Sequence, residues 1–111
     1  MNRLELEEIF KESNLNITIC ERNGCGFYKL SLNDCIFKDG DSLTLCLIEI
    51  EGDFFKLTDK GFMSIRFSYG NGIEPDLSNS PIKNDVGEYF IVVNRDNLIE
   101  GIKEFIRVFR N

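Results

Sequence analysis

Ser42 to Gly61, S-L-T-L-C-L-I-E-I-E-G-D-F-F-K-L-T-D-K-G, limits the fold more than any other stretch of the chain. Leu43, Leu45 and Leu47 alternate with Cys46, Ile48 and Ile50, so a strand here presents apolar side chains on both of its faces. Such a strand belongs in the interior of a sheet, covered at least partly on both sides; only Glu49 and Glu51, at its far end, force one face into water. Gly52-Asp53 supplies a tight turn into a return strand, Phe54 to Thr58. A closing turn follows at Thr58-Asp59-Lys60-Gly61, where Gly tolerates positive φ and Asp can bond its own backbone.

The flanking segments supply partners for this hairpin. Residues 3 to 13 place Leu6, Ile9 and Phe10 on one helical face and Glu5, Glu8, Lys11 and Glu12 elsewhere. Asn23-Gly24 lies between the β-prone runs Ile17 to Cys20 and Phe27 to Leu32, a hairpin signal, with a bulge expected at Gly26. Cys35-Ile36-Phe37 reads as a short further strand before a turn at 38–41. In Phe62 to Tyr69, Met63, Ile65, Phe67 and Tyr69 alternate with Ser64, Arg66 and Ser68, the pattern of a half-buried strand, with a short helix as the alternative. Gly70, Gly72, Pro75 and Pro81 then break any periodicity, and residues 70–87 read as a mobile loop. Tyr89 to Val93 is a second interior strand. Asn94-Arg95-Asp96 starts a helix whose apolar positions are Leu98, Ile99, Ile102, Phe105, Ile106 and Phe109. The expected architecture is α+β: one globular domain over 1–111, with an antiparallel or mixed sheet of about five or six strands flanked by an N-terminal and a C-terminal amphipathic helix.

Composition narrows the function. The chain has no histidine, which removes Ser-His-Asp and Cys-His pairs and imidazole metal ligands. Its net charge is −6, from 13 basic and 19 acidic residues, and no Lys/Arg cluster interrupts the chain, so direct binding of DNA or RNA is disfavoured. The first eight residues are too acidic for a targeting peptide, and no apolar run approaches the ~18 residues that span a bilayer. A cytoplasmic location without membrane attachment is the expectation.

Four cysteines raise a zinc module. Cys20 and Cys25 form a reachable pair across the Asn-Gly turn, but Cys35 and Cys46 make no second close pair, and Cys46 sits in the apolar alternation, where a thiol packs as a small hydrophobe. The acids Asp39, Asp41, Glu49, Glu51, Asp53 and Asp59 raise a metal-dependent nuclease-like site, yet Glu49-Ile50-Glu51 has no Lys two residues on, and Lys56 follows Asp53 at three. Asn23-Gly24-Cys25-Gly26 and Gly70-Asn71-Gly72 lack the Lys and helix start of a phosphate loop. Carboxylates along an exposed edge can instead face a basic surface on a protein, with Coulomb steering of the encounter.

The later part of Leu47 to Gly61, I-E-I-E-G-D-F-F-K-L-T-D-K-G, followed after a variable loop by a strand and an amphipathic helix like Glu88 to Phe109, resembles a family of small phage and bacterial proteins. That family is known only as domain of unknown function eighteen-twenty-eight. The resemblance spans residues 34–109; the position after the Asp is often a second Asp in the family but is Lys60 here, which weakens a paired-carboxylate reading of the turn. It implies a cytoplasmic protein of a mobile element and tilts Phe62 to Tyr69 toward a helix. The residues together read as a small acidic, non-enzymatic interaction domain of inhibitor or immunity type, without cofactor, in which Glu49, Glu51, Asp53 and Asp59 form a polar rim that binds a basic surface of a protein partner and residues 70–87 form an adaptable loop. The alternative is a metal-dependent enzyme or zinc-binding module using the acidic hairpin or Cys20, Cys25, Cys35 and Cys46.

Overall fold

A computed structural model describes residues 1–22 and 27–110. The elements are α1 (Arg3–Ser13), β1 (Ile17–Arg22), β2 (Phe27–Ile36), β3 (Ser42–Glu49), β4 (Phe54–Thr58), α2 (Phe62–Ser68), β5 (Lys83–Asp85), β6 (Glu88–Asn94), a 3-10 turn (Arg95–Asn97) and α3 (Leu98–Phe109). The strands form one sheet in the order β1-β2-β3-β4-β6-β5, with every neighbouring pair antiparallel. The fold is α+β, with helices at both ends of the chain and a third between β4 and β5. Among the described residues, no helix is long and apolar enough to cross a membrane.

Register explains why one face of the sheet becomes the core. Ile19 pairs with Leu30 and Leu30 with Leu45; Leu47 pairs with Leu57 and Leu57 with Ile91; Phe55 pairs with Val93. Alternation puts all of these on the same side, where Leu6 and Phe10 of α1 and Leu98, Ile102, Phe105, Ile106 and Phe109 of α3 join them in the buried cluster. Gly101 lets α3 settle closely: a Cβ built there would stand 2.9 Å from Val93 Cγ1 and 3.1 Å from Leu57 Cδ1.

β3 is central, as its two apolar faces require, but among the described residues no helix covers its second face. Cys46 is nevertheless buried there, in the cross-strand row Lys29, Cys46, Thr58, Phe90, while Ile48 is half-buried and Ile50 exposed. Two-sided apolarity therefore reports a central position in the sheet and partial shielding by neighbouring side chains, and not a second layer of helices.

Three local expectations change. Cys35 and Ile36 do not begin a separate strand; they continue β2, which absorbs the extra residues in a register shift between Leu32 and Ile36, with Phe37 just beyond. Phe62 to Ser68 is a helix, with Met63 turned into the core, Phe67 packed against it at i+4, and Phe62 and Ile65 exposed. Residues 70–87 are not structureless throughout: Ile82 is buried, Leu77 packs on the core, Ser80 Oγ donates to Glu104, and residues 83–85 form β5. The β5–β6 hairpin closes through Val86 and Gly87, both at positive φ. The Asn23-Gly24 turn and the bulge at Gly26 lie outside the described residues.

Candidate functional site

Asn94 caps the 3-10 turn at the end of β6, its Oδ1 accepting the Asn97 N–H at 2.9 Å. Because β4 pairs with β6, with Phe54 opposite Asn94, the β3–β4 turn lies beside this exit. Gly52, at φ +71°, makes that turn, and the Ile50 N–H donates to the Phe54 carbonyl at 3.0 Å. The start of α1 closes the third side: Arg95 donates to Glu5 at 2.9 Å, and the Met1 ammonium pairs with Glu49. Met1, Glu5, Asp53, Phe55, Asn94, Arg95 and Asp96 together line a depression of about 450 Å³.

Five carboxylates, those of Glu5, Glu49, Glu51, Asp53 and Asp96, meet at or beside this corner, against the cations of Arg95 and Met1. Both cations are engaged, by Glu5 and Glu49 respectively. Glu51, Asp53 and Asp96 are exposed and have no ion-pair partner among the described residues. The structure therefore brings together Glu49, Glu51 and Asp53 from the expected rim. It adds Glu5 and Asp96, which no local pattern singles out because they enter through the β4–β6 pairing and the packing of the chain start.

Asp59 is not part of the rim. It lies at the opposite end of β4, six residue steps and roughly 20 Å along the strand from Asp53, and is only 1% exposed. Its Oδ1 accepts the Gly61 N–H at 2.8 Å and the Tyr89 N–H at 2.9 Å, and its Oδ2 accepts the Met63 N–H at 3.0 Å. Burial pushes the carboxyl above its ordinary value while these three donors pull it back. Lys60 and Gly61 take positive φ in succession, and Thr58 Oγ1 accepts the Lys60 N–H at 3.0 Å while donating to Glu88. The Thr-Asp-x-Gly turn is thus a clamp that ties β4 to β6 and opens α2.

The three described cysteines do not converge. Cys20 is exposed on β1, Cys35 is in the helix-covered core, and Cys46 is buried on the other side of the sheet; Cys25 lies outside the described residues. Burial raises the Cys35 thiol above its ordinary value, and the Arg110 charge partly offsets this. No group of three or more potential metal-binding side chains comes together among the described residues.

Folding also assembles something the linear charge pattern hides. By register, Lys29, Lys56 and Lys83 lie on the open face of the sheet, and Lys60 reaches the same side, 5.5 Å from the Phe27 ring centre. Lys56 is committed there: it pairs with Glu88 at 3.1 Å and sits 4.8 Å from the centre of the Phe90 ring. The Glu88 carboxyl is held below its ordinary range, first by the Thr58 hydroxyl and then by Lys56 and Lys60. Lys29, Lys60 and Lys83 have no ion-pair partner among the described residues, so the open face carries uncompensated positive charge, which the linear spacing of these lysines hides, and the β3–β4 corner carries uncompensated negative charge. No protein-family model, curated protein or solved structure matches the chain.

Proposed function

We propose that this protein is a non-enzymatic interaction domain whose acidic β3–β4 corner engages a basic surface on a partner protein, in an inhibitor or immunity-type role. The carrying observation is that Glu51, Asp53 and Asp96 are exposed and unpaired among the described residues, yet are held on a tight turn and a capped 3-10 turn. Fixed carboxylates on short, hydrogen-bonded elements lose little freedom on docking, and their field steers a cationic partner toward the corner. The mobile-element origin implied by the resemblance over residues 34–109 is consistent with a small domain that acts by occupying another protein. Glu49 and Glu5 contribute to the field while holding Met1 and Arg95 in place.

The test uses a partner captured from host lysate at low salt and then purified. Binding is expected to weaken steeply toward ~0.5 M salt, where screening reduces the range of exposed charges to a few ångströms. The triple variant E51K/D53K/D96K should lose binding and retain its circular dichroism spectrum. Binding indifferent both to salt and to these reversals would overturn the proposal.

A further inference from the structure

The search for a second surface leads to α2, at the end of the sheet opposite the acidic corner. The inward face of this helix is spent on Met63, Phe67 and Arg66. Met63 is in the core, Phe67 packs edge-on to Tyr89 and stacks near Phe109, and Arg66 turns to Asp39 and Asp41 and lies over the Phe37 ring. Phe62, Ile65 and Tyr69, at i, i+3 and i+7, form the outer stripe and are 57%, 52% and 78% exposed. Ile73, just beyond the helix, is 84% exposed.

The β5–β6 hairpin tip extends this surface. Ser64 Oγ donates to the Gly87 carbonyl at 2.6 Å, which holds the tip beside α2 and sets the fully exposed Val86 next to it. Val86 has φ +49°, a left-handed conformation that a β-branched residue adopts at a cost and that Gly or Asn would adopt freely. A strained valine kept fully in water gains nothing for the isolated fold, and such outliers point to a use.

We infer that this stripe is a self-association surface, on which a second copy of the chain docks through the same residues about a two-fold axis. Two chains of net charge −6 repel at most approaches, but the outer face of α2 is uncharged, its remaining outward position being Ser68. An antiparallel two-fold crossing centred near Ile65 sets Phe62 of one copy against the partner's Tyr69 and Ile65 against its own twin, which is the self-complementarity an isologous interface needs. With ~150–200 Å² for a whole large side chain, Phe62, Ile65, Tyr69, Ile73 and Val86 expose on the order of 600 Å² per copy. Both copies together reach roughly 1,200 Å², the lower bound of stable specific interfaces. The dimer leaves both acidic corners free, since each lies at the far end of β4 from α2.

Light scattering coupled to size exclusion, from ~1 to ~500 µM, tests this. The wild-type mass should rise from 12.8 kDa toward twice that value with concentration. I65E and the milder I65S should stay at the monomer mass at concentrations where the wild type is dimeric, with unchanged circular dichroism because Ile65 is on the outer face. Replacing the corner carboxylates in E51K/D53K/D96K should leave the dimer intact, so failure of this inference and failure of the corner's function give different results. A wild-type mass of 12.8 kDa throughout the range, or a dimer that survives I65E, overturns it.

Discussion

Asp59→Ala separates a structural carboxylate from a binding one. The side chain is 1% exposed and accepts three backbone N–H groups, from Gly61, Met63 and Tyr89, at 2.8 to 3.0 Å. Hydrogen bonds to a charged acceptor contribute ~1.5–3 kcal/mol each, and a buried donor left without a partner costs ~1–3 kcal/mol. Against this stands the recovered desolvation of the carboxylate, the same effect that raises its pKa. The net loss is expected at about 3 kcal/mol, a large fraction of the 5–15 kcal/mol available to a domain of this size. Urea unfolding followed by circular dichroism should show the midpoint falling by about 2 M, for a slope of ~1.5 kcal/mol/M, and the melting temperature by about 10 °C. Asp59→Asn is a sharper probe: one oxygen can still serve Gly61 and Tyr89, but the amide nitrogen then faces the Met63 N–H, donor against donor, so most of the loss should remain. An Asp59→Ala protein as stable as the wild type would refute the clamp and return Asp59 to the list of residues available to a partner.

Gly101→Ala tests the seating of α3: helix propensity favours Ala by ~1 kcal/mol, but the new methyl would stand 2.9 Å from Val93 Cγ1 and 3.1 Å from Leu57 Cδ1, so overpacking of ~1–3 kcal/mol should win. A lower urea midpoint, restored in part by adding Val93→Ala, is expected, and a more stable Gly101→Ala would show that the helix sits further from the sheet. Val86→Asn should raise the midpoint by the equivalent of ~1 kcal/mol, measured at protein concentrations low enough to keep the chain monomeric, because Asn relieves the positive φ. Glu88 and Glu104 have carboxyls held below their ordinary range, Glu88 first by Thr58 and Glu104 first by Arg107. For such acids the folded state binds fewer protons than the unfolded one, so the stabilisation present above ~4.3 is lost as pH falls through the folded values. The urea midpoint should therefore drop between ~pH 5 and ~pH 3, with a smaller drop in E88Q/E104Q, and an identical drop in that variant would remove these two groups as its cause. Asp59 works in the opposite sense, its contribution lost as pH rises through its raised value, so it cannot be the source of the acid limb.

The sheet and both terminal helices were legible because burial imposes periods of 2 and 3.6 on apolar residues, and Leu43 to Leu47 and Leu98 to Phe109 obey them over enough residues to decide. Phe62 to Ser68 was not decidable locally, since Met63 and Phe67 are both every-other-residue and i, i+4 neighbours. The helix follows from the Asp59 clamp, and that clamp needs the Tyr89 N–H, 30 residues away. Ile82 fixes the segment before β5 as a single buried residue between Pro81 and Lys83, which leaves no periodic trace. The acidic corner was half legible for the same reason: Glu49, Glu51 and Asp53 are contiguous with the hairpin, whereas Glu5 and Asp96 arrive only through the order of strands.

What divides the acids is the state of the N–H two residues ahead. Asp39 accepts from Asp41, Asp76 from Ser78 and Asp59 from Gly61, each donor lying outside the ladders. The backbone bond is the leading cause that lowers the Asp39 and Asp76 carboxyls. Asp53 looks similar beside its glycine, but the residue two ahead is Phe55, which lies within β4 and is paired on both sides, with Glu49 and with Val93. Its carboxylate finds no local donor and stays in solvent. The Thr58 to Gly61 turn therefore sets geometry in this chain: it clamps β4 to β6 and starts α2. In this chain the Thr58 to Gly61 turn fixes the start of α2, and the unpaired carboxylates Glu51, Asp53 and Asp96 lie beyond the other end of β4.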